Sequence, residues 1–158
     1  MLLREWAAKM FPGAQLLEQY RLGPTRAFLP GIQVTPAIER ALRVSNWFAD
    51  GLLALPDKTL IIEAKVRPTP GAVGQVLFYQ RLAMQTPLLQ QRIAIPIVPV
   101  LLWAERDDDV ANFARQFGCR VEVYVPLWIV DYLQLVQMRN RSTAPSASNN
   151  GVDSAGGA

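Results

Sequence analysis

The sequence predicts an α/β sandwich, a mixed sheet with helices on both faces. Three observations predict it. Apolar runs alternate with helix-periodic segments in the order helix, three strands, helix, strand, and then helix, strand, helix. Two of the runs, Trp47–Leu55 and Thr59–Val66, are joined by Leu55-Pro56-Asp57-Lys58, which reads as a hairpin turn. Ile97–Ala104 is continuously apolar and rich in β-branched residues, the pattern of a strand buried on both faces.

The elements follow in order. Leu3, Trp6, Ala7 and Met10 fall at helical spacing within Leu2–Met10, and Phe11-Pro12-Gly13 stops that helix. Gln15–Leu22 reads as a strand ended by Gly23-Pro24, and residues 25–36 are punctuated by Pro and Gly as loops are. Pro36–Leu42 suits a short helical turn. After the hairpin, Arg67-Pro68-Thr69-Pro70-Gly71 is a rigid connection into a helix over Ala72–Gln85. Asp107-Asp108-Asp109 opens a helix that runs to Phe117, with acids at its positive end and Gly118 at its exit. Arg120–Val125 alternates as a strand, and Pro126 starts a last helix, Leu127–Met138. Residues 1–138 are read as a single domain. From Arg139 the chain loses its large hydrophobes, and 139–158 is expected to be a disordered tail.

Composition removes whole classes of chemistry. The 158 residues contain no histidine, which excludes imidazole bases and imidazole-built zinc sites. One cysteine, Cys119, allows neither an intramolecular disulfide nor a thiolate cage, and reads as a small buried hydrophobe. The net charge of +3 is compatible with phosphate contact without demanding it. The apolar stretch Ile93–Ala104 is too short to span a bilayer and holds two prolines. The expectation is a protein without membrane association, cytoplasmic in a bacterial or phage-infected cell, or carried in a virion.

The hairpin carries the chemistry. A turn centred between Pro56 and Asp57 pairs residues whose numbers sum to 113, which sets Asp50 opposite Glu63. Side chains opposed in this way lie roughly 4.5–5.5 Å apart at Cβ, where like charges repel. Lys65, two residues beyond Glu63, points to the same face. Phe48, Leu52, Ile61 and Ile62 surround the three charges. A divalent cation between the two acids turns that repulsion into a binding site.

Asp50, then Glu63-Ala64-Lys65 after a 12-residue spacer, resembles the signature of the PD-(D/E)XK nuclease superfamily. Gln75 and Tyr79 on the following helix resemble the QxxxY motif of its RecB-like and lambda-exonuclease-like branch, and i, i+4 spacing puts both on one helix face. The αβββαβ order is similar to the restriction-endonuclease-like core, with the later strand and helix as additions. Ala49 stands where many members have proline.

The resemblance implies that Asp50, Glu63, Lys65, Gln75 and Tyr79 form a catalytic set. Asp50 and Glu63 would hold Mg²⁺ or Mn²⁺, helped by the Ala64 backbone carbonyl, and Lys65 would sit beside the attacking water. Glu5 is the candidate for a further acid from the first helix, with Glu18 and Glu39 as rivals. Tyr79 would contact a phosphate or stack on a base, and Arg43 and Arg67 would meet DNA backbone. The implied activity is metal-dependent hydrolysis of DNA phosphodiesters, alone, as an oligomer, or inside a larger DNA-processing or phage assembly. An RNA substrate is equally compatible. The rival reading is a catalytically silent protein of that fold serving as a structural component of such an assembly.

Overall fold

A computed structural model describes residues 1–23, 35, 47–92 and 94–142, and in them the five expected strands form one sheet. Helix α1 (Leu2–Met10) leads into β1 (Leu16–Leu22), β2 (Trp47–Ala54) and β3 (Thr59–Lys65). Helices α2 (Pro70–Ala83) and α3 (Pro87–Gln90) precede β4 (Ile97–Trp103). Helix α4 (Asp108–Gln116), β5 (Arg120–Val123) and α5 (Leu127–Ser142) complete the chain. The expected helical turn Pro36–Leu42, and all but Thr35 of the loop expected over 25–36, lie outside the described residues.

Strand order follows chain order, β1-β2-β3-β4-β5. The pairs β1·β2 and β2·β3 are antiparallel, whereas β3·β4 and β4·β5 are parallel. Parallel neighbours need a crossover, and α2 and α4 supply the two. The hairpin register is the one the turn dictates: Gly51 pairs with Ile62, Leu52 with Ile61, Leu53 with Leu60 and Ala54 with Thr59. Leu55 N–H closes the turn on the Lys58 carbonyl at 2.8 Å.

Side-chain alternation sorts the sheet into two faces. One bears Leu52, Ile61, Leu101 and Trp103, and α2 covers it. Tyr79 and Ala83 pack with Leu52 and Ile61, while Val73, Val76 and the α4 alanines Ala111 and Ala114 pack with Leu101 and Trp103. The opposite face carries Gly51, and α1 lies against it. A Cβ built on Gly51 would fall 2.7 Å from Leu3 Cδ2, so glycine is what lets the helix approach so closely. Leu53, Leu60, Ile61, Ile62, Val100, Leu101 and Leu102 are fully buried, and each such side chain contributes roughly 1.5–3 kcal/mol.

Local chemistry fixes the ends of the elements. Asp107 caps α4, its carboxylate accepting from Val110 N–H at 3.0 Å. Gly118, at φ +76°, turns the chain out of that helix. Pro70 opens α2 in the first turn, where a missing N–H costs nothing. Thr86 joins the end of α2 to the end of β1: its hydroxyl accepts from Gly23 N–H at 2.9 Å and donates to the Leu82 carbonyl at 3.0 Å. Cys119 is buried, and burial raises its thiol pKa.

Some elements differ from expectation: the helix expected over Ala72–Gln85 spans Pro70–Ala83, and the strand expected over Arg120–Val125 ends at Val123. The short helix α3 had no counterpart among the expected elements; Pro87 stands in its first turn. The last helix runs to Ser142, past Met138, because Arg139 and Arg141 are good helix formers even where large hydrophobes are absent; residues 143–158 lie outside the described set. The chain divides into two compact units, Met1–Pro126 and Leu127–Ala158. Strand β5 ends at Val123, and α5 begins at Leu127, directly after Pro126. Among the described residues no helix is long and apolar enough to cross a membrane.

Candidate functional site

The site lies at the open end of the hairpin, where the β2·β3 ladder stops. The last backbone pair is Gly51 with Ile62. One step further, where Asp50 and Glu63 face each other, a side chain replaces the backbone acceptor: Asp50 Oδ2 accepts from Ala64 N–H at 2.9 Å. Backbone N–H and C=O of one strand residue point to the same edge, so the Ala64 carbonyl is also aimed at the gap between the strands.

Glu63 is the anomaly of the molecule. Its side chain is 1% exposed, and neither carboxylate oxygen has a hydrogen-bond partner of good geometry. Lys65 Nζ nonetheless stands 2.6 Å from Oε1, so the two are an ion pair by distance and charge. Burial pushes the Glu63 carboxyl above its ordinary range; the Lys65 ammonium opposes this, and the Asp50 charge adds to it. Lys65 is held above the usual lysine range, chiefly by its bond to Glu63, against desolvation, with the charges of Glu63, Asp50 and Tyr79 adding to the rise. An ionised carboxylate buried with unfilled oxygen lone pairs is unfavourable unless a cation meets it.

Gln75 and Tyr79 reach the same place from α2. Gln75 Nε2 donates to the Tyr79 hydroxyl at 2.5 Å. Burial raises the Tyr79 pKa most; Gln75 lowers it, Glu63 and Asp50 raise it, and Lys65 lowers it. The hydroxyl therefore senses all three charged residues of the hairpin. The ring itself is 3% exposed and packed with Leu52, Ile61 and Ala83, so it presents no face on which a base could stack. Of the two expected roles of Tyr79, that one is removed by burial.

The remaining expected residues are placed as follows. Among the described residues no group of three or more His, Cys, Asp and Glu side chains gathers, so Glu5 does not join Asp50 and Glu63. The reason is the face: α1 packs on Gly51, whose neighbour Asp50 points the other way. Glu18 is engaged by Arg4 at 2.5 Å. Arg67, just past β3, pairs with Glu105, just past β4, at 3.3 Å. Arg43 and Glu39 lie outside the described residues.

One contact has no sequence signal. Gln19 on β1 donates from Nε2 to Asp50 Oδ1 at 3.2 Å. Among the described residues it is the one non-glycine residue with positive φ, at +47°. The left-handed conformation costs on the order of 1–2 kcal/mol for a residue with a Cβ. The β1·β2 register runs without a slip on both sides, through Glu18 with Gly51 and Tyr20 with Ala49, so the distortion is confined to the position opposite Asp50.

Two carboxylates and one carbonyl are oxygen ligands of the kind a hard divalent ion takes. Magnesium is commonly held by one or two carboxylates, with water and substrate oxygens completing the shell. Glu63 Oε2, buried and without a hydrogen bond, is the structural feature that fits such an ion, while Oε1 is met by Lys65. Comparison of the chain with protein-family models, with curated protein sequences and with solved structures finds no match. What the site can do therefore rests on its geometry.

Proposed function

We propose that the protein is a divalent-metal-dependent nuclease of the PD-(D/E)XK type, with the sheet and α2 forming a restriction-endonuclease-like core. The observation that carries the reading is the buried Glu63 carboxylate, met by Lys65 at Oε1 and by no hydrogen bond at Oε2, beside Asp50. That arrangement costs stability, and a cation bound by the two acids offsets the cost.

Asp50 and Glu63 would hold Mg²⁺ or Mn²⁺, with the Ala64 carbonyl as a third oxygen. The ion would supply Lewis-acid polarisation of a phosphoryl oxygen and acidify a water. Every other role falls to the chain. Ala64 N–H fixes one Asp50 oxygen and leaves it a second lone pair for coordination. Lys65 carries a positive charge next to the point where negative charge builds on the phosphoryl oxygens. Its raised pKa keeps the ammonium protonated at neutral pH in the ion-free site, which favours an electrostatic role over that of a free-amine base. Tyr79, steadied by Gln75, would offer its hydroxyl to a water or phosphate oxygen. Arg67 is an exposed cation near the strand ends and suits backbone contact once it exchanges Glu105 for phosphate.

The substrate proposed is DNA. The test is cleavage of plasmid and of labelled linear DNA with Mg²⁺ or Mn²⁺, comparing wild type with Asp50→Ala and Lys65→Ala. The expected result is cleavage by wild type and a loss of at least about a hundredfold in each variant. Equal rates in all three proteins would overturn the reading. A parallel assay on RNA separates the two polymer classes.

A further inference from the structure

We infer that Gln19 is a positioning residue for the cation site: its strained backbone exists to aim an amide N–H at the Asp50 carboxylate. The inference rests on the cation reading of Asp50 and Glu63, and names a device within it that no motif contains.

A carboxylate on a strand can rotate about two side-chain torsions, and to serve as a ligand it must be held. Asp50 is held at both oxygens, Oδ2 by Ala64 N–H at 2.9 Å and Oδ1 by Gln19 Nε2 at 3.2 Å. Each oxygen has two lone pairs, so both can be clamped and still face an ion. The two donors come from opposite sides, one from β3 and the other from β1, and together they leave the carboxylate plane little freedom. Metal ligands are ordinarily oriented in this way by a second ring of hydrogen bonds.

The backbone supports the same conclusion independently. Gln19 is exposed, so its side chain is not placed by core packing. It is directly opposite Asp50 in the β1·β2 register and adopts φ +47°, while its neighbours pair normally. An exposed glutamine gains nothing from a left-handed conformation by itself. Strain at one residue, in contact with the residue of interest, is a mark of a functional constraint.

Two variants separate positioning from folding. Gln19→Gly and Gln19→Ala both remove the amide. Glycine accepts positive φ without strain, whereas alanine does not. If Gln19 acts through Asp50, isothermal titration with Mn²⁺ shows both variants weakened to a similar degree, on the order of ten- to a hundredfold. Thermal unfolding meanwhile places Gln19→Gly at or above wild type and Gln19→Ala below Gln19→Gly. A purely structural role would make affinity follow the melting order, with Gln19→Gly binding as wild type does, and that result overturns the inference. Asp50→Asn is the control. Wild type and Asp50→Asn failing alike to bind Mn²⁺ would strike the cation reading itself. Binding by wild type, lost in Asp50→Asn and unchanged in both Gln19 variants, would strike the role of Gln19 alone.

Discussion

The two ends of the β2–β3 hairpin are built on opposite principles. At the turn end, Leu52, Leu53, Leu60 and Ile61 are buried and their backbones are paired, while the Asp57–Lys58 ion pair stays on the exposed turn. At the open end the ladder stops, a carboxylate takes the place of a carbonyl as acceptor, and Glu63 is buried without hydrogen bonds of good geometry. The ribbon is continuous, and about three residues separate the two regimes. The turn end stabilises the fold; the open end draws on that stability to hold charges that would otherwise move apart or take up protons.

Mutations should separate the ends cleanly. The largest effect belongs to the open end and falls on activity: Asp50→Ala should reduce DNA cleavage by at least about a hundredfold while shifting the denaturation midpoint little, because the residue is half-buried and lies beyond the last β2·β3 pair. The turn end should answer in the opposite way. Leu53→Ala should cost about 2–5 kcal/mol in urea unfolding, from lost burial and the cavity left behind, with cleavage by the folded fraction retained. A smaller effect is expected at Gly51→Ala. The new methyl meets the flexible end of Leu3, so the cost should be about 1–3 kcal/mol and α1 should shift, visible as chemical-shift changes in Leu3 and Leu16.

The subtlest contrast is in pH. The Glu63 pKa is raised in the folded state, so the unfolded chain gives up this proton first. The stability tied to the protonated carboxyl is present below the ordinary value of 4.5 and is lost as pH rises through the folded value. Glu63→Gln removes that loss. Without metal, its stability relative to wild type should therefore increase as pH rises from about 4 to about 7. Urea titrations at intervals across that range test it, and a constant difference would count against the burial of an ionising carboxyl. Added Mn²⁺ should restore wild type and leave the variant unmoved.

Much of this was legible in the residues. Pro56-Asp57 fixed the turn centre, and every β2·β3 pair follows from it. The continuous apolar run of β4 indicated a strand buried on both faces, and Val100, Leu101, Leu102 and Trp103 are fully buried. Asp50, Glu63 and Lys65 were brought to one place by alternation alone. The convergence of Gln75 and Tyr79 on them depended on α2 crossing that face, which the element order implied. Other features had no local signature. Gln19 lies in a strand-like segment, and nothing in its neighbours announces a left-handed backbone. Glu5 has helical spacing and charge, yet the face on which α1 docks is decided by the missing side chain of Gly51 across the sheet. The end of α5 was misplaced because a change in composition is not a change in helix propensity.

The central claim is that Asp50, Glu63 and the Ala64 carbonyl together bind a hard divalent ion. The most direct measurement is anomalous diffraction from a crystal soaked in Mn²⁺. The account predicts one strong peak between β2 and β3, at coordination distance of roughly 2 Å from an oxygen of each group. Density elsewhere, or none while the soaked crystal still diffracts, would contradict it.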